Sequence, residues 1–262
     1  MSARSFIDGV PGAGLPVDDP GFTLGWTAFE TLRSYGPRPF RLDAHLARLA
    51  GSAAALFVPI PPLELLREEL LQHLGADEVA RLTLTAGGRR VLELGPVDPA
   101  RIRRPVRCAP CLWPTDLPVR GHAKHGARAF WAVAARREGV EEVILHDREG
   151  FVLEASRSNV LAALDGALIT PPVDGDALDG VTRRAILEAA EEAGLPLRVA
   201  PLRVDQPVEE LYLCSTLKEL APVVGMPSCD REGFGPLGER LHAALRGLIR
   251  RETGGEDGGE GG

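Results

Sequence analysis

Apolar side chains recur along the chain with two periods, and the switches between them mark out its elements. In DAHLARLAGSAAALF, Leu46, Leu49, Ala53 and Leu56 fall at helical spacing, with Asp43 as the expected N-cap. PPLELLREELLQHLG predicts a second amphipathic helix, opened by proline and closed by Gly75. ARLTLTAGG then alternates Leu82 and Leu84 with Thr83 and Thr85, the period of a strand. Ahead of these, PGFTLGWTAFETLRSYG is an apolar run punctuated by turn residues, so the first half reads as mixed strand and helix.

From about Arg101 to Gly121 the periodicity fades and four prolines appear, which predicts an interdomain connection over part of that stretch. Beyond it, AFWAVAARREG reads as a helix, EEVILHD, GFVLEASRSNVLAAL and GALITPP as strands, GVTRRAILEAAEEAG as a helix, VEELYLCST as a strand and LGERLHAALRGLIRR as a terminal helix. The expected class is α+β in two domains: a small N-terminal α/β domain over 1–110 and a larger C-terminal domain over 111–252. The tail TGGEDGGEGG, 253–262, has no apolar side chain to bury and is expected to be disordered. There is no fixed-period repeat, and Gly-Ala-Gly at 12–14 lacks the strand and helix that a dinucleotide-binding fingerprint requires.

The net charge of −7 over 262 residues, with arginines scattered and not massed, argues against a nucleic-acid or anionic-membrane surface and for a small-molecule partner. No apolar run approaches the ~20 residues of a membrane span, and MSARSFIDGV has no signal-peptide core, so the expected address is cytoplasmic. Of the four cysteines only Cys108 and Cys111 have metal-like spacing. One such pair without a second recognisable ligand pair predicts no metal site, and the thiols are expected to be reduced and buried.

Arginine has almost displaced lysine: 30 basic residues include only two lysines, Lys124 and Lys218. A lysine kept against that drift points to amine chemistry, because a buried ε-amine can lose its proton and attack a carbonyl to form a Schiff base, and a guanidinium cannot. Lys124, in GHAKHGARAF, is the candidate nucleophile; a surface amine is the plain alternative. The usual aldehyde partner, pyridoxal phosphate, needs a carboxylate facing its ring nitrogen and a cradle for its phosphate. Glu154, at the end of an apolar strand, suits the first, although a strand-end acid at the surface has the same sequence. For the second, Val181 and Thr182 open a helix whose N-terminal amides favour an anion. Ser215 and Thr216 supply hydroxyls after another apolar strand, and Arg48 a guanidinium that grips phosphate by two bonds.

Taken in order, GFTLGWTAFETLR, FRLDAHLARL, RLTLTAGG, KHGAR, EEVILHDREGFVLEASRSNV, ALITPP, DGVTRRAILEAA and LYLCSTLKELAPV resemble the class IV aminotransferase family. These are the fold-type IV pyridoxal-phosphate enzymes, which include branched-chain and D-amino-acid aminotransferases and aminodeoxychorismate lyase. The resemblance runs from about residue 20 to 225. It implies the two-domain architecture with pyridoxal 5'-phosphate in the interdomain cleft, and a homodimer. By position it implies Lys124 for the Schiff base, Glu154 for the pyridine nitrogen, and Arg48, Val181, Thr182 and Thr216 for the phosphate. Two departures bear on substrate: Trp26 stands in a Gly-Trp-Thr-Ala stretch where the family often reads Gly-Asp-Gly, and neither Tyr35 nor Tyr212 replaces the active-site tyrosine of several members.

Two reactions share the same beginning. In one, Lys124 acts as general base and an amino group passes between an amino acid and a 2-keto acid. In the other, a substrate with a β leaving group, such as aminodeoxychorismate, is cleaved to p-aminobenzoate and pyruvate. The Lys124-His125 pair followed by Arg128 is similar to the lyase branch, while the family as a whole favours the aminotransferase. Phe29, Arg89, Arg90 and Arg128 are the candidate substrate contacts, with the two adjacent arginines placed to meet a carboxylate. A cofactor-free binding protein on the same fold is the reading from another class.

Overall fold

Segments of period two pair into sheets and segments of period 3.6 coil against them. A computed structural model of the chain describes residues 4–113, 121, 123–173 and 177–254. They form two compact units, Met1–Asp98 with Ala123–Arg128 and Ile249–Gly262, and Pro99–His122 with Ala129–Leu248. The units are therefore not the expected segments 1–110 and 111–252. The chain leaves the first unit at Asp98, and 123–128 return to it because their main chain bonds to a strand there. A segment that short carries no periodicity that would betray its partner.

The first unit contains β1 (Arg4–Ile7), β2 (Val10–Pro11), α1 (Pro20–Thr23), β3 (Thr27–Tyr35), β4 (Arg38–Pro39), α2 (Leu42–Ala55), α3 (Leu63–His73), β5 (Glu78–Thr85) and β6 (Arg90–Pro96). Its strands pair antiparallel in the order β2-β1-β6-β5-β3-β4. β5 alternates as its Leu/Thr pattern predicts, whereas β3 is buried at nearly every position and so has both faces covered. The α2 helix packs on β3 and buries Leu46, Leu49 and Ala53. Asp43 is not its N-cap. Arg41 holds that place with a left-handed φ of 52° and no side-chain cap bond, and Asp43 lies in the first turn, paired with Arg67. An acid there still complements the helix dipole, which is why the sequence signal was displaced and not absent.

The second unit contains β7 (Val106–Leu112), α4 (Ala129–Glu138), β8 (Glu142–His146), β9 (Val152–Ala155), β10 (Asn159–Leu164), β11 (Ala167–Thr170), α5 (Val181–Glu192), β12 (Leu197–Val199), β13 (Glu210–Ser215), β14 (Glu219–Val224) and most of α6 (Pro236–Thr253). Its mixed sheet runs β12-β11-β10-β13-β14-β7-β8-β9. Ile144, Val152, Val160, Leu211, Leu213 and Val223 form its core.

Two expectations are corrected here. The supposed connection at 101–121 contains strand β7, in the middle of the sheet. Pro110 obscured it, since proline is rare in central strands. The ladder to β14 involves only Val106 and Arg107, so beyond Arg107 the strand is paired on the β8 side alone, where a missing N–H is tolerated. Strand geometry also places Cys108 and Cys111, three apart, on opposite faces: Cys108 enters the main core and Cys111 packs beside Trp113 and Trp131. The second correction is the tail. Thr253 is still helical and buried, its hydroxyl donating to the Ile249 carbonyl at 2.8 Å, and the expected disordered stretch from 255 onward lies outside the described residues. No helix among the described residues is long and apolar enough to cross a membrane.

Leu82 is fully buried in β5 between β3 and β6. Leu82→Ala should lower unfolding free energy by about 2–5 kcal/mol, read from urea denaturation curves, because the rigid sheet on either side leaves the cavity unfilled.

Candidate active site

Lys124 owes its place to main-chain pairing. Phe29 N–H donates to the Lys124 carbonyl at 3.0 Å, Gly126 N–H to the Thr27 carbonyl at 3.2 Å, and Ala28 and His125 form an antiparallel bridge. On its other side the Lys124 N–H donates to the Ser52 hydroxyl of α2 at 3.0 Å, and Ser52 is itself buried. The lysine backbone is thus held between a strand and a helix. Gly126 is required for this approach: a Cβ there would lie 2.2 Å from the Thr27 hydroxyl.

Its side chain projects over the Phe29 ring, with Nζ 4.9 Å from the ring centroid. Arg81 Cζ stands at 3.9 Å and Arg128 Cζ at 5.9 Å from the same centroid. A nearly buried aromatic ring therefore gathers three basic side chains. Phe29 and Arg128, both candidates from sequence, are here brought together with Lys124. Arg89 and Arg90 are not: Arg89 pairs with Asp8 at 3.1 Å and Arg90 with Glu69 at 2.5 Å. Trp26 donates from its indole to the Leu56 carbonyl at 2.7 Å, which fixes the ring at the end of α2.

Arg48 is organised by a residue that the pattern did not single out. Glu30, in the same FETLR run as Phe29, accepts Arg48 Nε at 2.7 Å and Nη2 at 2.8 Å, and its Oε2 also lies 2.8 Å from His45 Nδ1. His45 and Arg48, one turn apart on α2, therefore converge on one buried carboxylate. Burial alone would raise the Glu30 carboxyl, but the Arg48 charge and the bonds from Arg48 and His45 overcome it and hold it at about 2. Burial lowers the His45 imidazole, against the opposing pull of Glu30. Burial, reinforced by the Arg128 and Lys124 charges, brings His125 down to about 4. The only sequence signal for Glu30 and His45 was that each stood in a segment carrying a nominated residue.

In the second unit, Glu154 Oε2 accepts the Leu178 N–H at 3.2 Å, and Asn159 Nδ2 donates to the Leu178 carbonyl at 2.8 Å. Both polar groups of one residue are fixed two positions before Gly180, the N-cap of α5. A Cβ at Gly180 would lie 2.0 Å from Asn159 Oδ1, so only glycine admits this contact. The α5 N-cap makes no side-chain bond and the first turn has no acid, so Val181, Thr182 and Arg183 present main-chain amides without the usual cap. Arg183 is anchored by Nε to the Thr170 hydroxyl at 3.2 Å and by Nη2 to the Pro171 carbonyl at 3.0 Å. Asn159 pairs with Cys214 in the neighbouring strand, so Ser215 and Thr216 emerge at the same end of the sheet as the α5 N-terminus. Glu154, Val181, Thr182, Ser215 and Thr216 are brought to one region of the unit. Sequence reasoning missed Asn159 and Arg183, whose roles depend on contacts across strands.

Among the described residues no group of three or more His, Cys, Asp or Glu side chains converges as metal ligands would.

The model of the family described as "Amino-transferase class IV" matches residues 27–226. The chain belongs to the class IV aminotransferases. It is 30% identical to a putative branched-chain-amino-acid aminotransferase of Methanocaldococcus jannaschii, over 80% of this chain and 82% of the relative. It is 28% identical to the branched-chain-amino-acid aminotransferase of Escherichia coli, over 87% and 86% respectively. Among solved structures it is similar to a fold IV transaminase from Curtobacterium pusillum, with 26% identity, coverage of 95% and 99% and a TM-score of 0.80. A hypothetical aminotransferase from Mycobacterium tuberculosis in its pyridoxal-phosphate-bound form gives 26% identity, coverage of 96% and 100% and a TM-score of 0.81. The α+β, two-domain fold-type IV class is thus shown, and so is a pyridoxal-phosphate-dependent aminotransferase. The family implies amino and keto acids as substrates. The lyase alternative and the non-catalytic alternative gain no support from these relatives.

The residues present fit such a cofactor by their donor chemistry. A helix N-terminus without a cap and two strand-end hydroxyls suit a phosphate, and a carboxylate fixed beside that helix suits a protonated ring nitrogen.

The histidine shifts set a pH dependence. Unfolded, His45 and His125 bind a proton near 6.5; folded, His125 does so only near 4 and His45 below its ordinary value. The unfolded chain thus holds more protons in this window, so stability falls as pH drops from about 6.5 towards about 4. Glu30, also depressed, adds its own loss only lower, between its ordinary range and about 2. The melting temperature should fall across the histidine window, and His125→Asn should flatten the profile measured by calorimetry.

Proposed function

We propose that this aminotransferase carries its pyridoxal 5'-phosphate on Lys124 and transfers the amino group of an aliphatic, branched-chain amino acid to a 2-keto acid. The observation that carries the assignment is the pair of lysine environments. Lys218 Nζ lies 2.5 Å from the fully buried Glu142 carboxylate, whereas Lys124 stands over Phe29 with Arg128. The names of the sequence relatives support the substrate class.

In this reading the Glu154 carboxylate holds the proton on the cofactor's ring nitrogen. The amides of Val181 and Thr182 and the hydroxyls of Ser215 and Thr216 take the phosphate. Within its own unit, Glu30 keeps Arg48 in one rotamer. Bound there, the cofactor supplies an electron sink that lets the α-hydrogen of an amino acid depart as a proton. The Lys124 amine takes that proton and returns it. The neighbouring charges of Arg128 and Arg81 beside Phe29 attract the substrate carboxylate. Arg128, which shares the Phe29 ring with Lys124, is the proposed carboxylate partner.

A homodimer in the cytoplasm completes the reading. The exposed side chains of Phe22, Leu24 and Phe57 offer apolar surface for a second copy.

With 2-oxoglutarate as acceptor, leucine, isoleucine and valine should turn over faster than alanine or D-alanine; a preference for the last two would overturn the substrate class. Borohydride reduction of the holoenzyme should leave the pyridoxyl label on Lys124, and label on Lys218 would remove the assignment. Lys124→Ala should abolish turnover. Glu154→Ala should lower kcat by ~10²-fold or more, as expected for a contact made chiefly in the transition state.

A further inference from the structure

Lys218, the other lysine, has no part in the chemistry above, yet it too has survived where arginine is the rule. Its Nζ lies 2.5 Å from Glu142 Oε1 and donates to the Ser158 hydroxyl at 3.4 Å. Glu142 opens β8 and is fully buried. Its Oε1 also accepts the Ser158 hydroxyl at 3.3 Å, while Oε2 accepts the Arg157 N–H at 3.1 Å.

Two turns meet at this carboxylate. Arg157 and Ser158 lie in the turn from β9 to β10, a few residues after Glu154, and that turn is closed by the Ala155 N–H on the Ser158 carbonyl at 2.7 Å. Lys218 ends the turn from β13 to β14, its N–H donating to the Ser215 carbonyl at 3.2 Å. Ser215, the last residue of β13, accepts that bond, and Thr216 lies within the turn it closes.

The arrangement accounts for lysine in place of arginine. A guanidinium gains most by gripping both oxygens of a carboxylate, and here a main-chain amide already occupies the second oxygen. One oxygen and one hydroxyl remain, and a compact ammonium with rotatable donors satisfies both.

We propose that Lys218 is a positioning residue for the cofactor phosphate: by clasping the β13–β14 turn to Glu142 and Ser158, it holds Ser215 and Thr216 where the phosphate is bound. This rests on the assignment of that turn to the phosphate. Breaking the clasp should weaken the grip on the phosphate and leave the grip on the pyridine ring unchanged.

The test compares affinity for pyridoxal 5'-phosphate with affinity for pyridoxal, which lacks the phosphate, after each protein has been purified as holoenzyme and stripped of cofactor. Lys218→Met leaves the buried Glu142 carboxylate with the Arg157 guanidinium, 3.9 Å away, as its only remaining cation among the described residues and can fail to fold, so the double variant Glu142→Gln/Lys218→Met, which removes both charges of the clasp, is read alongside it, its fold checked by circular dichroism. The folded variant should bind pyridoxal 5'-phosphate ~10-fold more weakly, the scale of one hydrogen bond, while pyridoxal affinity changes less than ~2-fold. Equal weakening of both ligands, or no change in either, overturns the proposal and leaves Lys218 a residue of the fold alone. Thr216→Val separates the two levels. If it too loses the preference for the phosphorylated ligand, the turn does hold the phosphate; if it keeps that preference, the phosphate assignment itself fails and the clasp falls with it.

Discussion

A carboxylate sealed from water has to find cations or N–H and O–H donors inside the protein, and this requirement recurs in both units. Glu30 draws Arg48 and His45 to one point on β3. Glu142 draws together the turns after β9 and β13. Glu219, at the start of β14 with a left-handed φ of 56°, fastens α6 through His242 at 2.9 Å and Arg246 at 3.0 Å. Glu210 accepts the Tyr212 hydroxyl at 2.6 Å and the Gly238 N–H at 2.8 Å. In each case the acid lies at or near a strand end or on a buried strand, and at least one of its partners comes from outside that strand. The attraction is strong because it is shielded from water, and it is directional because the remaining lone pairs must also be filled.

That pattern explains how a sheet with modest side chains can hold precise positions for a cofactor. Strand ladders set the register of Asn159 against Cys214 and of Phe29 against Thr83, but they leave the turns beyond the strand ends free to swing. The buried acids and amides close those turns: Glu154 and Asn159 fix the peptide groups of Leu178 ahead of α5, and Glu142 does the same for the turns near Ser158 and Lys218. Glycine is used at the two closest approaches, Gly180 against Asn159 and Gly126 against Thr27, where any Cβ would collide with a polar side chain.

The two lysines answer the same scarcity for different reasons. Lys124 stands over the Phe29 ring, where an amine, unlike a guanidinium, can form a Schiff base. Lys218 is suited to its place because a single oxygen and a single hydroxyl are left for it. A sequence so biased towards arginine marks both positions as unusual, but only the surroundings distinguish them, one amine over an aromatic ring and the other against a buried carboxylate.

The sequence by itself determined the class of fold and the order of its elements wherever one face of a segment is buried and the other is wet. The α2, α3 and α5 helices and strand β5 follow from the periodicity, and strands β8, β10 and β13, buried on both faces, from short apolar runs. It also carried the family, since the segments that resemble it begin at Gly21 and end at Val223 while the family model matches 27–226, and it nominated Lys124, Glu154 and the α5 N-terminus from their chemistry. Tertiary structure alone decided what those residues touch. The return of 123–128 to β3, the hidden strand around Pro110, the capture of Arg48 by Glu30 and the diversion of Arg89 and Arg90 to Asp8 and Glu69 all join residues distant in sequence. Periodicity reports whether a residue faces a core or water, because burial is a property of each position along one element. A hydrogen bond or ion pair belongs to two elements at once, and its existence is decided only when the sheet has brought them together.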